Sequence, residues 1–471
     1  MKAAFTAREI ADAVKGSLSG DESASVHGVS TDSRAIEPGE LFVPLKGERF
    51  DAHSFIPELL GKGIKVFITA RKQPVDAVLT AGATFITVPD TLRALGDLAA
   101  FHRSRFSVPV TAVTGSNGKT TTREMLASIL GRTGDGLKTS GNLNNLIGLP
   151  QMLFQLDRNR RWAVLEMGMS EPGEIDRLAE IARPDVGVIT NVSPAHLQSM
   201  GNVEAVASAK GELFRRLACG SHAVYNADDS FVAALPSPQG VVRISFGFGT
   251  ADVRAENYEE KGREGQAFVL ALPSGNVQVR LKAFGRHNTL NALAAAAAAY
   301  ALKVSPQEIR EGLEAFVPFE KRLAPEELGD LLLVDDSYNA NPASMKAALL
   351  TLGQLAGSGR AIAVLGDMLE LGDASASAHE EIGRLAAVKV ERLYLMGEKS
   401  AVVAEGAAAG GLAKSGIIVA NSHQEILDDL LFNVRKGDCI LVKGSRGMRM
   451  DIVAEGLRNS LRTAKLKGAD A

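Results

Sequence analysis

The sequence is poor in cysteine and has no excess of positive charge. Its 471 residues include only two cysteines, and 52 basic against 55 acidic residues leave a formal net charge of −3. Cys219 and Cys439 are far apart and in no metal-binding spacing, which argues against a disulfide framework or zinc site and fits a reducing compartment. A chain without a basic excess lacks the charge that neutralises nucleic-acid phosphates, so we expect no nucleic acid as partner.

Long apolar runs are also missing. No stretch approaches the roughly 18 apolar residues of a membrane span, so we expect no membrane-spanning helix. The first residues, MKAAFTAREIADAVKG, predict a short amphipathic helix and lack the unbroken apolar centre of a signal peptide. The alanine-rich stretch Ala294–Ala299 is more typical of a packed helix. We therefore expect a cytoplasmic protein, acting as a monomer.

The length predicts about three domains. A small mixed domain is expected over residues 1–106, with strands at Lys65–Thr69 and Thr84–Val88 and a helix over Leu92–Arg105. Strands and helices alternate from residue 107 to 318, with an antiparallel patch at 241–284, and alternate again over 319–471. This pattern predicts an α/β protein whose central and C-terminal domains have mostly parallel sheets with flanking helices, the C-terminal one an open, nucleotide-fold-like sheet.

A glycine-rich segment lies between a predicted strand (Val108–Thr114) and a predicted helix (Thr120–Leu130). Its glycines allow successive backbone N–H groups to face an anion, and the helix N-terminus adds its dipole. A lysine in this context suits the β- and γ-phosphates of ATP, and a threonine hydroxyl suits Mg²⁺. The residues expected to bind ATP here are Thr114, Gly115, Ser116, Asn117, Gly118, Lys119, Thr120 and Thr121.

The full phosphate-loop pattern G-x-x-x-x-G-K-[ST] is not met, because Val113 stands at the first glycine position. The alternative is a glycine turn before an ordinary helix, followed by a coincidental Lys-Thr pair. The placement of the motif between a strand and a helix favours nucleotide binding.

Many separated motifs then occur in one order and resemble the Mur ligases of peptidoglycan synthesis over nearly the whole chain. They are TGSNGKTTT (114–122), GNLNNLIGLP (141–150), LEMGMS (165–170), NVSPAHL (191–197), SAKGELF (208–214), GRHNTLNALAA (285–295), DDSYNANPASM (335–345), LGDMLELG (365–372) and KGSRGMRM (443–450). GNLNNLIGLP and YNANPASM look like the family member that adds D-alanyl-D-alanine. The Asp-Asn-Pro-Arg motif of the diaminopimelate-adding member is absent.

This resemblance implies ligation of D-alanyl-D-alanine to the terminal carboxylate of UDP-N-acetylmuramoyl-tripeptide. ATP would activate the carboxylate as an acyl phosphate, with Mg²⁺, two ions being expected, as cofactor. The third residue of the tripeptide, diaminopimelate or lysine, is left open.

The resemblance also implies which residues hold the metal ions: Thr120, Glu166, His196 and Lys210. Glu166 ends a predicted strand, where the alternative role is to cap a turn. Mg²⁺ prefers oxygen ligands, so from the residues alone His196 is better explained as a hydrogen-bonding histidine. For Lys210, the family implies a carbamylated lysine, which requires a neutral amine, whereas the simpler interpretation is a solvated lysine beside Glu212.

The remaining site residues also follow from the resemblance. It places adenine near Asn288 and Asn291, although Asn288 also suits a helix N-cap, with His287 left undecided. It assigns Arg322 to phosphate and Asp336 to ribose. Tyr338, Asn339, Asn341 and Pro342 are implied for the dipeptide, Ser30, Thr31, Asp32, Ser33, Arg34, Asp51 and His53 for the uridine nucleotide, and Asn142 and Asn145 for substrate.

Because these residues come from three predicted domains, the C-terminal domain is expected to close over the central one about a hinge near Pro318–Lys321. Three alternatives remain: a related ligase such as a folate polyglutamate or cyanophycin-type enzyme, a P-loop ATPase coupled to motion or partner binding, and a non-catalytic scaffold. Phosphate release that depends on both ligation substrates distinguishes the ligase from the ATPase.

Overall fold

The computed structural model describes residues 3–47, 50–70, 82–194, 197–319 and 321–468. Within these residues the strands form one two-stranded pair and three larger sheets of five, nine and six strands. Each larger sheet is built from its own stretch of the chain, within residues 17–87, 110–281 and 324–443. The predicted α/β class with mostly parallel sheets is confirmed.

In the N-terminal part, the described residues form short strands and three helices. Its elements are β1 (Phe5–Thr6), α1 (Ala7–Val14), β2 (Ser17–Ser19), β3 (Ser25–Val26), β4 (Val29–Ser30), β5 (Leu41–Phe42), a 3-10 turn (Ala52–Phe55), α2 (Ile56–Gly61), β6 (Val66–Thr69), β7 (Thr84–Thr87) and α3 (Thr91–Ser104). The five-stranded sheet has the order β2-β7-β6-β5-β4, and β2 is antiparallel to β7.

Helix α1 is shorter than the sequence predicts. The backbone is extended at Phe5–Thr6, and the helix begins at Ala7. The Thr6 hydroxyl accepts a hydrogen bond from the Glu9 N–H at 3.2 Å, while the Glu9 carboxylate accepts one from the Thr6 N–H at 2.8 Å. This reciprocal cap satisfies two free helix donors and fixes the start of the helix. No helix in the described part of the chain combines the length and apolarity needed to cross a bilayer.

The central part is the largest. Its strands are β8 (Val110–Thr114), β9 (Gly136–Lys138), β10 (Trp162–Glu166), β11 (Val186–Ile189), β12 (His222–Asn226), β13 (Val242–Gly247), β14 (Val253–Glu260), β15 (Gln266–Leu272) and β16 (Gly275–Leu281). Its helices are α4 (Lys119–Leu130), α5 (Gly148–Leu153), α6 (Glu174–Ala182), α7 (Leu197–Met200), α8 (Val203–Arg215), α9 (Ser230–Ala233), α10 (Arg286–Ala301) and α11 (Pro306–Glu314).

The central sheet has the order β16-β15-β14-β13-β12-β11-β8-β10-β9. Strands β9 to β14 pair in parallel, and only β14-β15-β16 pair antiparallel. The predicted antiparallel patch at 241–284 is therefore wrong for β13, which continues the parallel sheet. Strand β8 lies between β10 and β11, so the carboxyl ends of these three strands meet at one edge, where ligands bind in open α/β sheets.

Helix α10 is buried along most of its length and packs against α4 and strands β11 to β15. Ala292 and Ala294–Ala299 have no exposed surface. The helix begins three residues before the predicted start, with Gly285 (φ 78°) as its N-cap. Asn288 therefore lies inside the first turn, and the alternative that it caps the helix is wrong.

The C-terminal part contains a second, mostly parallel sheet. Its elements are β17 (Ala324–Leu328), β18 (Leu331–Asp336), α12 (Pro342–Ala356), β19 (Ala361–Gly366), α13 (Ser375–Ala387), β20 (Arg392–Met396), α14 (Ser400–Ala409), β21 (Ile417–Ala420), α15 (His423–Asn433), β22 (Cys439–Lys443) and α16 (Asp451–Gly468). The order β17-β18-β22-β19-β20-β21 places Asp336 opposite Lys443. Phe284 of the central part packs into the apolar core formed by Ala348, Leu349 and Leu352 of α12.

Candidate active site

The glycine-rich loop joins β8 to α4 and allows no larger side chain at two positions. Gly115 (φ 148°) and Gly118 (φ 81°) adopt backbone angles that other residues rarely reach. A Cβ atom on Gly115 would lie 1.9 Å from the Thr190 hydroxyl oxygen, and one on Gly118 would lie 2.1 Å from Asn291 Oδ1. Both glycines are therefore required by conformation and by space.

The segment after β11 holds the loop in place. The Asn117 N–H donates to Asn191 Oδ1 at 2.9 Å, and the Thr190 hydroxyl donates to the Asn117 carbonyl at 2.6 Å. The Ser193 N–H donates to the Ser116 hydroxyl at 3.0 Å, and that hydroxyl donates to the Ser193 carbonyl at 3.1 Å. These contacts organise the loop before any ligand arrives.

Lys119 begins α4 with its ammonium folded over the loop. The Nζ atom donates to the carbonyls of Gly115 at 2.8 Å and Ser116 at 3.3 Å. Burial lowers the pKa of Lys119, Arg322 lowers it further, and Glu166 opposes both. A desolvated cation at the N-terminus of a helix that follows a glycine-rich loop forms a site for an anion.

Glu166 ends β10 and turns its carboxylate toward the start of α4. Its Oε2 atom accepts hydrogen bonds from the Thr120 hydroxyl at 2.9 Å and Arg123 Nη1 at 3.1 Å. Its Oε1 atom accepts one from Asn144 Nδ2 at 2.9 Å. A carboxylate and a hydroxyl that meet here are the oxygen donors that Mg²⁺ prefers.

Lys210 lies inside the protein on α8, with 2% of its surface exposed, so the simpler interpretation of a solvated lysine is wrong. Burial, helped by the charge of Lys119, holds the pKa of Lys210 well below its usual value. Its neighbour Glu212 is engaged elsewhere, since its carboxylate accepts the N–H groups of Gly173 and Asp176, both at 2.9 Å. His196 lies outside the described residues.

Asn288 and Asn291 lie directly behind the loop, and both are buried. Asn291 Nδ2 donates to Asn288 Oδ1 at 3.0 Å, and Asn288 Nδ2 donates to the Phe284 carbonyl at 2.9 Å. Their neighbour His287 lines the same cleft, and burial together with Lys443 lowers the pKa of its imidazole to about 4.

The C-terminal sheet closes the other side of the cleft. Asp336 Oδ2 accepts from Lys443 Nζ at 2.6 Å, and Asp336 Oδ1 accepts from the Leu323 N–H at 3.1 Å. Burial raises the pKa of Asp336, although Lys443 and Arg322 oppose the shift. The guanidinium of Arg322 stacks over the Tyr338 ring at 4.0 Å.

Asn341 connects the two halves of the cleft. Its Oδ1 accepts the Ser344 N–H at 2.9 Å, which caps α12, while its Nδ2 donates to Asn117 Oδ1 at 2.8 Å. One side chain therefore both caps a C-terminal helix and contacts the glycine-rich loop. Its neighbour Asn339 accepts a hydrogen bond from Lys443 through its backbone carbonyl at 2.9 Å.

Between these surfaces lies a cavity of about 630 Å³. Of the predicted site residues, it is lined by Ser116, Asn117, Gly118, Lys119, Thr120, Thr121, Asn145, Glu166, Lys210, Asn288, Asn291, Arg322, Asp336, Tyr338, Asn339 and Asn341. Residues of the central and C-terminal parts thus converge on one space.

The residues predicted to bind the uridine nucleotide lie outside this cavity. Asp32 pairs with Arg34 at 2.8 Å, which lowers the pKa of the Asp32 carboxyl to about 2. The carboxylate of Asp51 contacts His53 Nδ1 at 2.6 Å, and His53 Nε2 accepts the Ala70 N–H at 3.0 Å. The Asp32–Arg34 and Asp51–His53 contacts hold these polar and charged side chains in place.

One hydrogen bond ties this region to helix α5 of the central part, and another orders the start of that helix. Thr31 accepts a hydrogen bond from Gln151 of α5 at 3.1 Å, and Asn145 accepts the Gly148 N–H at 2.8 Å, which orders the start of that helix. The predicted residues Ser30 and Ser33 lie near Thr31, and Asn142 lies near Asn145 in the chain. Helix α5 therefore connects the N-terminal strands to the loop that carries Asn144.

Comparisons with known proteins agree with this geometry. The chain matches three family models: Mur ligase family, catalytic domain, over residues 25–103; Mur ligase middle domain over 113–299; and Mur ligase, glutamate ligase domain, over 322–446. It is 37% identical over 459 residues to the UDP-N-acetylmuramoyl-tripeptide--D-alanyl-D-alanine ligase of Bacillus subtilis, covering 97% of this chain and 98% of that one. This chain belongs to the Mur ligase family.

Relatives with solved structures share the whole architecture of this Mur ligase. MurF from Acinetobacter baumannii superposes with a TM-score of 0.89 at 36% identity, over 97% of this chain and 99% of that one. MurF from Thermotoga maritima, solved in complex with ADP, superposes with a TM-score of 0.82 at 29% identity, over 93% and 98%. The predicted three-domain fold is confirmed. Membership of a ligase family excludes the alternatives of a P-loop ATPase coupled to motion or partner binding and of a non-catalytic scaffold.

A folylpolyglutamate synthase from Mycobacterium tuberculosis shares the fold of this Mur ligase at 16% identity, with a TM-score of 0.63 over 78% of this chain and 93% of that one. At this identity the likeness concerns the fold alone.

Sequence reasoning missed several residues of the site of this Mur ligase. Asn144, Ser193 and Lys443 line the cavity, and Arg123 supports Glu166 from behind. Asn144 is next to the predicted residue Asn145, and Ser193 lies in the motif NVSPAHL, so the motifs do indicate the segments that contain them. The sequence does not indicate a role for Arg123 in the site, because an arginine in a helix next to a glutamate is typical of a solvated surface.

Proposed function

We propose that this Mur ligase joins D-alanyl-D-alanine to the terminal carboxylate of UDP-N-acetylmuramoyl-tripeptide, using ATP and passing through an acyl phosphate. The observation that carries the proposal is the convergence of Lys119, the Thr120–Glu166 pair and Lys210 on one cavity. The names of relatives that match over nearly the full chain supply the substrates.

A carboxylate resists attack by an amine, and phosphorylation gives it a good leaving group. The substrate oxygen takes the γ-phosphoryl group of ATP, and ADP is the leaving group. The amine of the dipeptide then attacks the acyl carbon, and phosphate and the amine proton depart. The protein contributes alignment and charge neutralisation more than covalent chemistry. The loop amides and Lys119 would hold the triphosphate in line with the acid.

The residues present fit Mg²⁺. The Thr120 hydroxyl and the Glu166 carboxylate lie 2.9 Å apart, and among the described residues no group of three or more His, Cys, Asp or Glu side chains forms a separate metal cage. Mg²⁺ commonly binds through one or two carboxylates together with substrate phosphates and water. When bound, the metal would neutralise charge on the phosphates. We assign a first ion to Thr120 and Glu166, and a second to His196.

Lys210 is proposed to be carbamylated. Carbamate formation needs an unprotonated amine, and the buried position of Lys210 near Lys119 disfavours the ammonium form. Addition of the amine to CO₂ forms an N–C bond and releases one proton, which yields an anionic oxygen ligand. Such a group would offset the charge of Lys119 and support the metal.

The three parts of the chain are proposed to divide the binding task. Residues 1–106 would bind the uridine nucleotide, 107–318 would bind ATP, and 319–471 would bind the dipeptide and close over ATP. Asn288 and Asn291 would lie near adenine, Arg322 near phosphate and Asp336 near ribose. The need for ATP favours a cytoplasmic enzyme, and one chain carries all the proposed residues, as a monomer requires.

Phosphate release tests the proposed reaction. With ATP and Mg²⁺ present, we expect sustained release only when UDP-N-acetylmuramoyl-tripeptide and D-alanyl-D-alanine are both supplied. Tripeptides ending in diaminopimelate and in lysine, assayed separately, would identify the natural acceptor. Equal release with no dipeptide, or ligation of glutamate instead of the dipeptide, would contradict the assignment.

The Asn341–Asn117 hydrogen bond is proposed to hold the cleft closed. Asn341→Asp keeps an acceptor for the Ser344 N–H but loses the donor to Asn117, whereas Asn341→Ala loses both. We expect Asn341→Asp to raise the KM for ATP several-fold and to increase the radius of gyration with substrates bound, measured by solution scattering.

Asn341→Ala, unlike Asn341→Asp, should also lower the free energy of unfolding by about 1 kcal/mol, because it removes the cap of α12. An Asn341→Asp protein that closes like the parent would show that the contact is incidental.

A further inference from the structure

A row of alternating charges leads from the surface to the Glu166 carboxylate. The exposed ammonium of Lys138 contacts Glu124, and Glu124 Oε1 accepts from Arg123 Nη2 at 2.6 Å and Arg123 Nε at 3.1 Å. Arg123 Nη1 then donates to Glu166 Oε2 at 3.1 Å. The guanidinium is almost fully buried, with 1% of the Arg123 side chain exposed.

Arg123 differs from the other partners of Glu166. Thr120 and Asn144 also donate to this carboxylate, but both are neutral. Arg123 supplies a full positive charge, and its planar fork is fixed by Glu124 on its other edge. The carboxylate therefore has a fixed orientation and a countercharge before any metal arrives.

We propose that Arg123 is a positioning residue that orients Glu166 and weakens Mg²⁺ binding until the nucleotide is present. This inference rests on the proposed function of the same site. A cation on Glu166 would lie only a few ångströms from the buried guanidinium, where like charges repel strongly. The phosphates of ATP add negative charge on the opposite side, and this charge overcomes the repulsion.

The alternating charges predict opposite changes in metal affinity for two single substitutions, one at Arg123 and one at Glu124. Removing the charge of Arg123 leaves Glu166 with neutral donors alone, which strengthens attraction for a cation. Removing the charge of Glu124 leaves the guanidinium uncompensated, which strengthens repulsion. A purely structural role of Arg123 predicts lower stability in both variants and no opposite changes in metal affinity.

Mn²⁺ alone is the probe, titrated into nucleotide-free full-length enzyme and followed by electron paramagnetic resonance. We expect Arg123→Gln to bind Mn²⁺ about tenfold more tightly than the parent and Glu124→Gln to bind it about threefold more weakly. The matched control is Arg103→Gln on α3. This buried arginine bonds to the carbonyls of Ala182 and Phe106, lies 3.5 Å from Asp185, and should leave affinity unchanged.

Unchanged or weaker Mn²⁺ binding by folded Arg123→Gln overturns the proposal, and so does unchanged or tighter binding by Glu124→Gln. The second variant keeps the test decisive if Arg123→Gln does not fold, because Glu124 is partly exposed and its loss leaves the buried arginine in place. The titration uses no ligation substrate. Failure of the proposed reaction would therefore appear in the phosphate assay, and failure of this inference in metal affinity.

Discussion

Lys119→Ala is expected to lower kcat/KM for ligation by about a thousandfold or more, because it removes the desolvated cation that we propose binds the triphosphate. The loop amides and their supports from Thr190 and Asn191 remain, so the protein should fold normally. Ligation is measured by coupled phosphate release, ATP affinity by calorimetry and folding by circular dichroism.

Two matched variants accompany Lys119→Ala. Lys119→Arg keeps the positive charge but replaces the compact ammonium with a planar guanidinium. This variant should therefore retain only part of the parental activity. Lys436→Ala removes a lysine that is 82% exposed, and it should leave the rate unchanged. If Lys119→Ala retained more than a tenth of parental activity, the loop would not be the phosphate site.

Lys210→Ala is expected to lose nearly all activity, by about a thousandfold, and to regain part of it when acetate or propionate is added. The physical reason is that a small carboxylate can enter the space left by the side chain and replace the anionic oxygens of the proposed carbamate. Activity is followed as a function of carboxylate concentration. Lys119→Ala, which removes a cation, should gain nothing from the same salts.

A direct readout accompanies this rescue. In ¹³C-bicarbonate, the parent enzyme should display a carbamate carbon resonance that is absent from Lys210→Ala. Burial and the charge of Lys119 lower the pKa of the Lys210 amine, which favours the neutral form that carbamate formation needs. A fully active Lys210→Ala variant, or a parent enzyme with no carbamate resonance in a range of bicarbonate concentrations, would rule out the modification.

The strand–loop–helix unit could be predicted because its signals are local. Glycines before Lys119, a β-rich run ahead of them and a helical pattern behind them all lie within some twenty residues. Glu166 could be predicted for a related reason, since polar residues that follow parallel strands gather at one sheet edge. The structure places Thr120 and Glu166 within hydrogen-bonding distance there.

Other features depend on contacts between distant parts of the chain. Nothing around Arg123 indicates that its side chain is buried against Glu166, 43 residues away. The sequence predicts an antiparallel patch over residues 241–284, whereas the parallel pairing of β13 with β12 depends on the whole sheet. The contact between Asn341 and Asn117 spans 224 residues and joins two separate sheets.

Helix α10 leaves the enzyme little tolerance for substitution beneath its phosphate loop. The helix surface around Ala294–Ala299 is enclosed on every side, and the same helix carries Asn291, which fills the space beside Gly118. A larger residue in that run would displace the helix, and the displacement would reach the glycine-rich loop that we propose holds ATP. Random mutagenesis should therefore recover few neutral changes in this stretch, although none of its alanines performs chemistry.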